Sequence, residues 1–178
     1  MKIQKRDGQL QEFEGEKIAQ AIRKAFRSTD TEIEEAVLQE IIADITEAAI
    51  SNEQLLSVEV VQDLVEEELM QHQYYKEAKS YILYRQKRNE SRQVLHDLVQ
   101  AVQQEELGTI LADIQQTYRE EVYDLRNLLM KFHSFLKEDM SRDERLRMLI
   151  KASVELISKE APKWEYIASR FLAYELHE

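Results

Sequence analysis

The sequence of 178 residues holds no cysteine, one proline and three glycines. Without cysteine the chain has no disulfide framework, no cysteine zinc ribbon, no thiol nucleophile and no thiyl-radical chemistry. Ordinary usage is about 7% Gly and 5% Pro, so few breakers mean mostly helix. No apolar run approaches the ~18 residues that span a bilayer. The charged start MKIQKRDGQL has no apolar stretch behind it, so no secretory signal is read there. The expected location is the cytoplasm. Neither the P-loop nor the dinucleotide-binding glycine pattern is present. What is there is apolar material, 43% of residues, enough for one large domain or two small ones.

Charge is short in one sign and unevenly placed. The net charge of −11 argues against general duplex DNA binding, which needs phosphate-neutralising Lys and Arg. Residues 28–72 carry thirteen acidic groups and no Lys or Arg. Before them, residues 1–27 carry seven basic and four acidic groups; after them, residues 73–92 carry six basic and two acidic. If the two basic ends meet, they form a local cationic site suited to a compact anion such as a nucleotide. Charge alone favours the plainer reading, in which both stretches are solvated helix faces.

Hydrophobic spacing sets out the elements. Residues 2–13 alternate loosely around Asp7-Gly8, a hairpin signal because Gly supplies the positive φ of the turn. Helical spacing follows through Ile18, Ala21, Ile22, Ala25 and Phe26 and breaks at Ser28-Thr29-Asp30. Thr31 with Glu34 reads as a capping box for a second helix with Ile33, Val37, Leu38, Ile41, Ile45 and Ala48 inward. Ser57 reads as the N-cap of a third helix, with Val58, Val61, Leu64, Val65 and Leu69 as its stripe. A fourth runs from about Tyr74 past Arg92, and Leu107-Gly108-Thr109 reads as a break. Ser141 with Glu144 is a second capping box, opening a helix expected to bury Leu146, Leu149, Ile150, Val154 and Ile157. Pro162 marks the first turn of a last helix through Trp164, Ile167, Ala168, Phe171 and Leu172. The fold class is mainly α, with one small N-terminal hairpin. A soft boundary falls near residue 95, giving domains over 1–95 and 96–178.

Catalytic groupings are thin. His72, His96, His133 and His177 are far apart in sequence, and no metal site is expected from their surroundings. No catalytic residue is assigned. For an anion the candidates are Lys5 and Arg6 before the turn, Lys17 at the next helix start, and Lys87 and Arg88 on the fourth helix. Ser57 adds a hydroxyl and a helix N-terminus, and Ile18, Ile22, Val60 and Val61 could flank a base. Taken singly, each has a structural reading: Ser57 a plain cap, Val61 core, Lys87 surface.

Three strings in order, IQKRDGQLQEFEGEKIAQAIRKAF, SVEVVQDLVEEELM and YYKEAKSYILYRQKR, resemble the ATP-cone over about residues 1–92. That is the nucleotide-sensing domain at the start of many ribonucleotide reductase large subunits. The resemblance implies a small sheet capped by about four helices that binds ATP or dATP, with Mg²⁺ accompanying the triphosphate. Carried across by position, the binding residues are Lys5, Arg6, Lys17, Ile18, Ser57, Val60, Val61, Lys87 and Arg88. Family members often have Glu where this chain has Gln11, with Glu12 beside it, so the carboxylate that would meet the ribose stays open.

The closing string RLRMLIKASVELISKEAPKWEYIASRFLAYELHE resembles the end of reductase N-terminal regions, either a degenerate second cone or a helical lead-in. The resemblance implies an allosteric activity-regulating region, ATP activating and dATP inhibiting, that controls subunit assembly. The partners it implies are the nucleoside triphosphate, the reductase catalytic domain, the radical-bearing small subunit and further copies of the chain, with no DNA and no membrane. Reduction itself uses active-site cysteines, and this chain has none. The alternatives are a helical interaction module with a decayed nucleotide site and a freestanding cone regulator. The zinc-ribbon repressor that also carries this domain needs cysteines that are absent here.

Overall fold

A computed structural model describes residues 2–6, 8–51 and 56–176. Asp7 and His177, named above, lie outside the described residues. Among them are a two-stranded antiparallel sheet and eight α-helices. The chain divides into two compact units, residues 1–87 and 88–178.

In the first unit, β1 (Lys2–Gln4) pairs with β2 (Leu10–Glu12) in the register Lys2–Glu12, Ile3–Gln11, Gln4–Leu10. Gly8 has φ +82°, a backbone angle that costs glycine little, and its N–H donates to the Lys5 carbonyl at 3.0 Å. Helix α1 (Gly15–Ser28) buries Ile18, Ala19, Ile22, Ala25 and Phe26, one face at helical spacing. Helix α2 (Glu35–Ser51) buries Leu38, Ile41, Ile45 and Ala49. Helix α3 (Val58–Gln71) buries Val61, Val65 and Leu69. Helix α4 (Tyr75–Val102) adds Ala78 and Tyr81, and Ile3 and Leu56 complete this core.

Thr31 and Glu34 do not form the expected capping box, because α2 starts only at Glu35. The Thr31 hydroxyl is drawn elsewhere: it donates to Glu77 Oε1 at 2.8 Å, with the Phe26 carbonyl 3.2 Å away as the alternative acceptor. Thr29 joins it on Glu77 Oε1 at 3.1 Å. The α1–α2 turn, with Asp30 at φ +54°, is thus closed by a buried carboxylate from the first turn of α4. Burial works to lift the Glu77 carboxyl, but the threonine hydroxyls and its own backbone N–H bring it below the usual range.

In the second unit, Val94, Leu98 and Val102 of α4 meet α5 (Leu107–Thr117), α6 (Leu125–His133), α7 (Arg142–Glu155) and α8 (Trp164–Glu175). Ser141 caps α7 in a complete capping box with Glu144. The break expected at Gly108 comes earlier. Gln103 takes φ +62° and turns the chain, while Leu107 is buried and Gly108 sits in the first turn of α5. Val154 and Ile157 are 49% and 40% exposed, against the expectation that they are core. The buried face of α7 is Leu146, Leu149, Ala152 and Ser153, one position round the helix. Small Ala152 and Ser153 let a neighbour approach, and the Ser153 hydroxyl is satisfied by the Leu149 carbonyl at 2.9 Å. Leu172 likewise faces outward, 46% exposed, beside buried Phe171.

Candidate nucleotide site

The site is built where β1 runs alongside the start of α3. The Gln4 N–H donates to the Leu56 carbonyl at 2.8 Å, and Gln4 and Ser57 form a parallel bridge. Ser57, in extended conformation, caps α3: its Oγ accepts from the Val60 N–H at 3.3 Å. The parallel run brings Arg6, two residues past Gln4, onto Glu59, two past Ser57. Arg6 Nε donates to Glu59 Oε1, and Arg6 Nη2 reaches Gln62 Oε1 at 3.5 Å. A guanidinium therefore lies at a helix N-terminus, where first-turn N–H groups and the helix dipole favour an anion.

Burial works to raise the Glu59 carboxyl, but the Arg6 bond, its own N–H and the Arg6 charge hold it below the usual carboxylate range. Lys17 is exposed in the first turn of α1, its Nζ 2.9 Å from Glu14 Oε1. Lys5 is exposed, with its N–H and carbonyl taken by the hairpin turn. Ile18 and Val61, both 7% exposed, share the core of the first unit, with Val60 half-buried at its edge. Lys87 and Arg88 are exposed on α4; Lys87 closes the first unit and Arg88 opens the second. The structure thus brings Arg6 onto Glu59 and Gln62 in the first turns of α3, which Ser57 caps, and places Lys5, Lys17, Lys87 and Arg88 on the surface.

The acidic block draws in basic groups from both flanks. Arg23 holds Glu35 at 2.9 Å, Arg6 holds Glu59, and Arg85 reaches Asp63 at 2.6 Å and Glu66 at 2.7 Å. Arg85, 17% exposed, lies one turn from buried Tyr81, whose hydroxyl burial pushes up to about 12. These pairings were missed in the sequence because their partners are far apart along the chain. Glu59 and Gln62 could have been suspected from their i, i+3 spacing on the first turns of α3. A second cluster was also missed: His72 Nε2 lies 3.9 Å from Glu68 and 4.0 Å from Asp44. The Glu68–His72 step is i, i+4 on one face, which was the signal to follow.

Residues 1–90 match the family described as the ATP cone domain. The chain belongs to the ATP cone family. This ATP cone chain is 36% identical over 182 residues to a ribonucleoside-diphosphate reductase subunit alpha of Treponema pallidum, covering 97% of the chain and 21% of that protein. It is 33% identical over 130 residues to the same subunit of Chlamydia muridarum, covering 66% of the chain and 12% of that protein. A vitamin B12-dependent ribonucleoside-diphosphate reductase of Thermoplasma acidophilum is 38% identical over 96 residues, covering 51% of the chain and 12% of that protein. The ATP cone chain spans about a fifth or less of the length of these relatives. No helix among its described residues is long and apolar enough to cross a membrane.

Proposed function

We propose that this chain is the activity-regulating region of a ribonucleotide reductase alpha subunit and that it binds ATP or dATP. The observation that carries the reading is Arg6 at the capped N-terminus of α3, inside the segment that matches the ATP cone. In this reading residues 1–95 sense the nucleotide. Arg6, Ser57 and the first-turn N–H groups of α3 hold phosphate oxygens, with Lys5, Lys17 and Lys87 as further phosphate partners. Ile18, Val60 and Val61 form the apolar floor under the base. Magnesium arrives with the triphosphate.

Residues 96–178 form a packed helical layer without a nucleotide of its own. ATP favours the active assembly and dATP the inhibited one. The output is a change in how the alpha subunit associates with copies of itself and with the radical-bearing small subunit, in the cytoplasm. Such control requires the two ligands to bind the two states unequally.

Calorimetric titration with ATP, dATP, GTP and CTP tests it. The expected result is saturable binding of the adenine nucleotides and weaker binding of the others. Equal weak heats for all four overturn it. A thermal shift checks the same point: a ligand that binds only the folded chain raises the melting temperature by mass action, and an interaction module with a decayed site shows none.

A further inference from the structure

Arg6 is already engaged: its Nε donates to Glu59 and its Nη2 reaches Gln62. Glu59 sits in the first turn of α3, the end of the helix that attracts negative charge. An anion arriving at Arg6 meets the Glu59 carboxylate within that same turn, two like charges at one helix end. The Glu59 side chain is 41% exposed, so it has room to turn into solvent. Gln62 is neutral and can keep its bond to Arg6.

We propose that Glu59 is an internal competitor for the phosphate. It neutralises Arg6 in the ligand-free chain and is displaced when a nucleoside triphosphate binds, which lowers the affinity for the triphosphate. This rests on the reading above that the Arg6 site takes a nucleotide phosphate. Lys17 carries a weaker version of the same arrangement with Glu14 at 2.9 Å, where both side chains are more exposed. The competitor does not act on an empty helix end; it acts on the guanidinium that would otherwise make two parallel bonds to phosphate.

The test is ATP titration of the full chain as parent, Glu59→Gln, Arg6→Gln and the double variant, with Glu35→Gln as a charge-matched control. Glu35 is an exposed carboxylate held by Arg23 on α1, so its loss changes the net charge equally. An exposed ion pair of this kind translates into about a two- to fivefold effect, and Glu59→Gln is expected to bind ATP tighter by that factor. The gain should vanish in the Arg6→Gln background, as a coupled pair requires. A gain of equal size in both backgrounds, or one matched by Glu35→Gln, overturns the proposal in favour of bulk charge. Unchanged or weaker binding by Glu59→Gln overturns it outright.

A second readout does not depend on how weakly Arg6→Gln binds. The Arg6 Nε–H resonance should move on adding ATP to the parent, and should start displaced in ligand-free Glu59→Gln. An unmoved resonance in either case overturns the competitor. A parent that binds ATP while Glu59→Gln is no tighter sinks this proposal alone. No binding by parent or variant sinks the nucleotide reading and the competitor with it, and binding by Glu59→Gln alone supports the competitor.

Discussion

The two units pack helices by the same rules and handle charge differently. In the second, Lys163 holds Glu120 at 2.7 Å, Arg170 holds Asp113 at 2.7 Å and Arg147 holds Glu175 at 2.9 Å, each pairing one surface position with another. The core beneath carries Trp164, Phe132 and Phe171, all fully buried. In the first unit, Arg6, Arg23 and Arg85 turn toward one acidic stretch that has no cation of its own, and its core is mostly aliphatic. Surface pairs like those of the second unit are worth ~0–1 kcal/mol each, so its stability rests on its buried core, in which Trp164, Phe132 and Phe171 are the largest side chains among many aliphatic ones. The first unit also leaves Lys5, Lys17 and Lys87 exposed, after β1, in the first turn of α1 and midway along α4.

The largest effect should come from the aromatic core. Trp164→Ala should cost about 3–5 kcal/mol of stability, through the cavity and the lost bond from its Nε1 to the Val122 carbonyl at 3.0 Å. The protein has one tryptophan, so urea unfolding followed by circular dichroism is the measurement. A loss under about 1 kcal/mol would mean that the second unit does not depend on that side chain.

The lysines should behave in the opposite way. Lys5→Ala, Lys17→Ala and Lys87→Ala should each move stability by no more than about 0.5 kcal/mol. Each should weaken triphosphate binding by about 1.5–3 kcal/mol, at least about tenfold. With Lys5 and Lys17 both replaced, calorimetry should detect no residual site. A site that survives at the parent's affinity would point to a nucleotide bound by the second unit and would erase the division between the units.

Ser57→Ala should follow, at about 1 kcal/mol of stability for the lost cap. Its triphosphate affinity should also fall, because the same hydroxyl lies beside the proposed phosphate position. Melting curves with and without ATP separate the two effects.

The smallest effect concerns Glu68. Burial, then the Asp44 charge, raise its carboxyl above the usual 4.5, with His72 pulling the other way. A raised folded value means that this group stabilises most below about pH 4.5, and the contribution is lost as pH rises through the folded value. Glu68→Gln should therefore melt slightly higher than the parent at pH 7, with the gap closing toward pH 4. Glu59 and Glu77, held low, act in the other direction in both proteins and cancel from the difference.

Much of the fold was legible because its signals are local. The Ser57 cap, the capping box of Ser141 and Glu144, and the helical stripe from Ile18 to Phe26 each rest on residues within about two turns. What was missed depends on contacts across the chain. Thr31 looked like a cap until Glu77, 46 residues on, drew its hydroxyl away. Gly108 looked like a stop, yet Gln103 makes the turn in a backbone region that non-glycine residues seldom adopt. Val154 and Ile157 fit a helical stripe, but the smaller Ala152 and Ser153 set which face is buried. At the candidate site, the sequence showed Arg6 and Ser57 as separate features. That Arg6 reaches Glu59 in the turn that Ser57 caps follows from strand β1 lying against the start of α3, which no local pattern encodes.

That bridge also bears on the order of folding. Arg6 and Glu59 are 53 residues apart, whereas the β1–β2 hairpin closes over a few. Closing a segment of that length costs about 3.5 kcal/mol of chain entropy beyond a constant, so the contact forms only once α1, α2 and α3 have packed. Helix content should therefore recover first in a refolding experiment, and the capacity to capture a triphosphate should trail it. On the ribosome the same delay means that a nascent chain is blind to nucleotide until α3 has emerged and docked against the first strand.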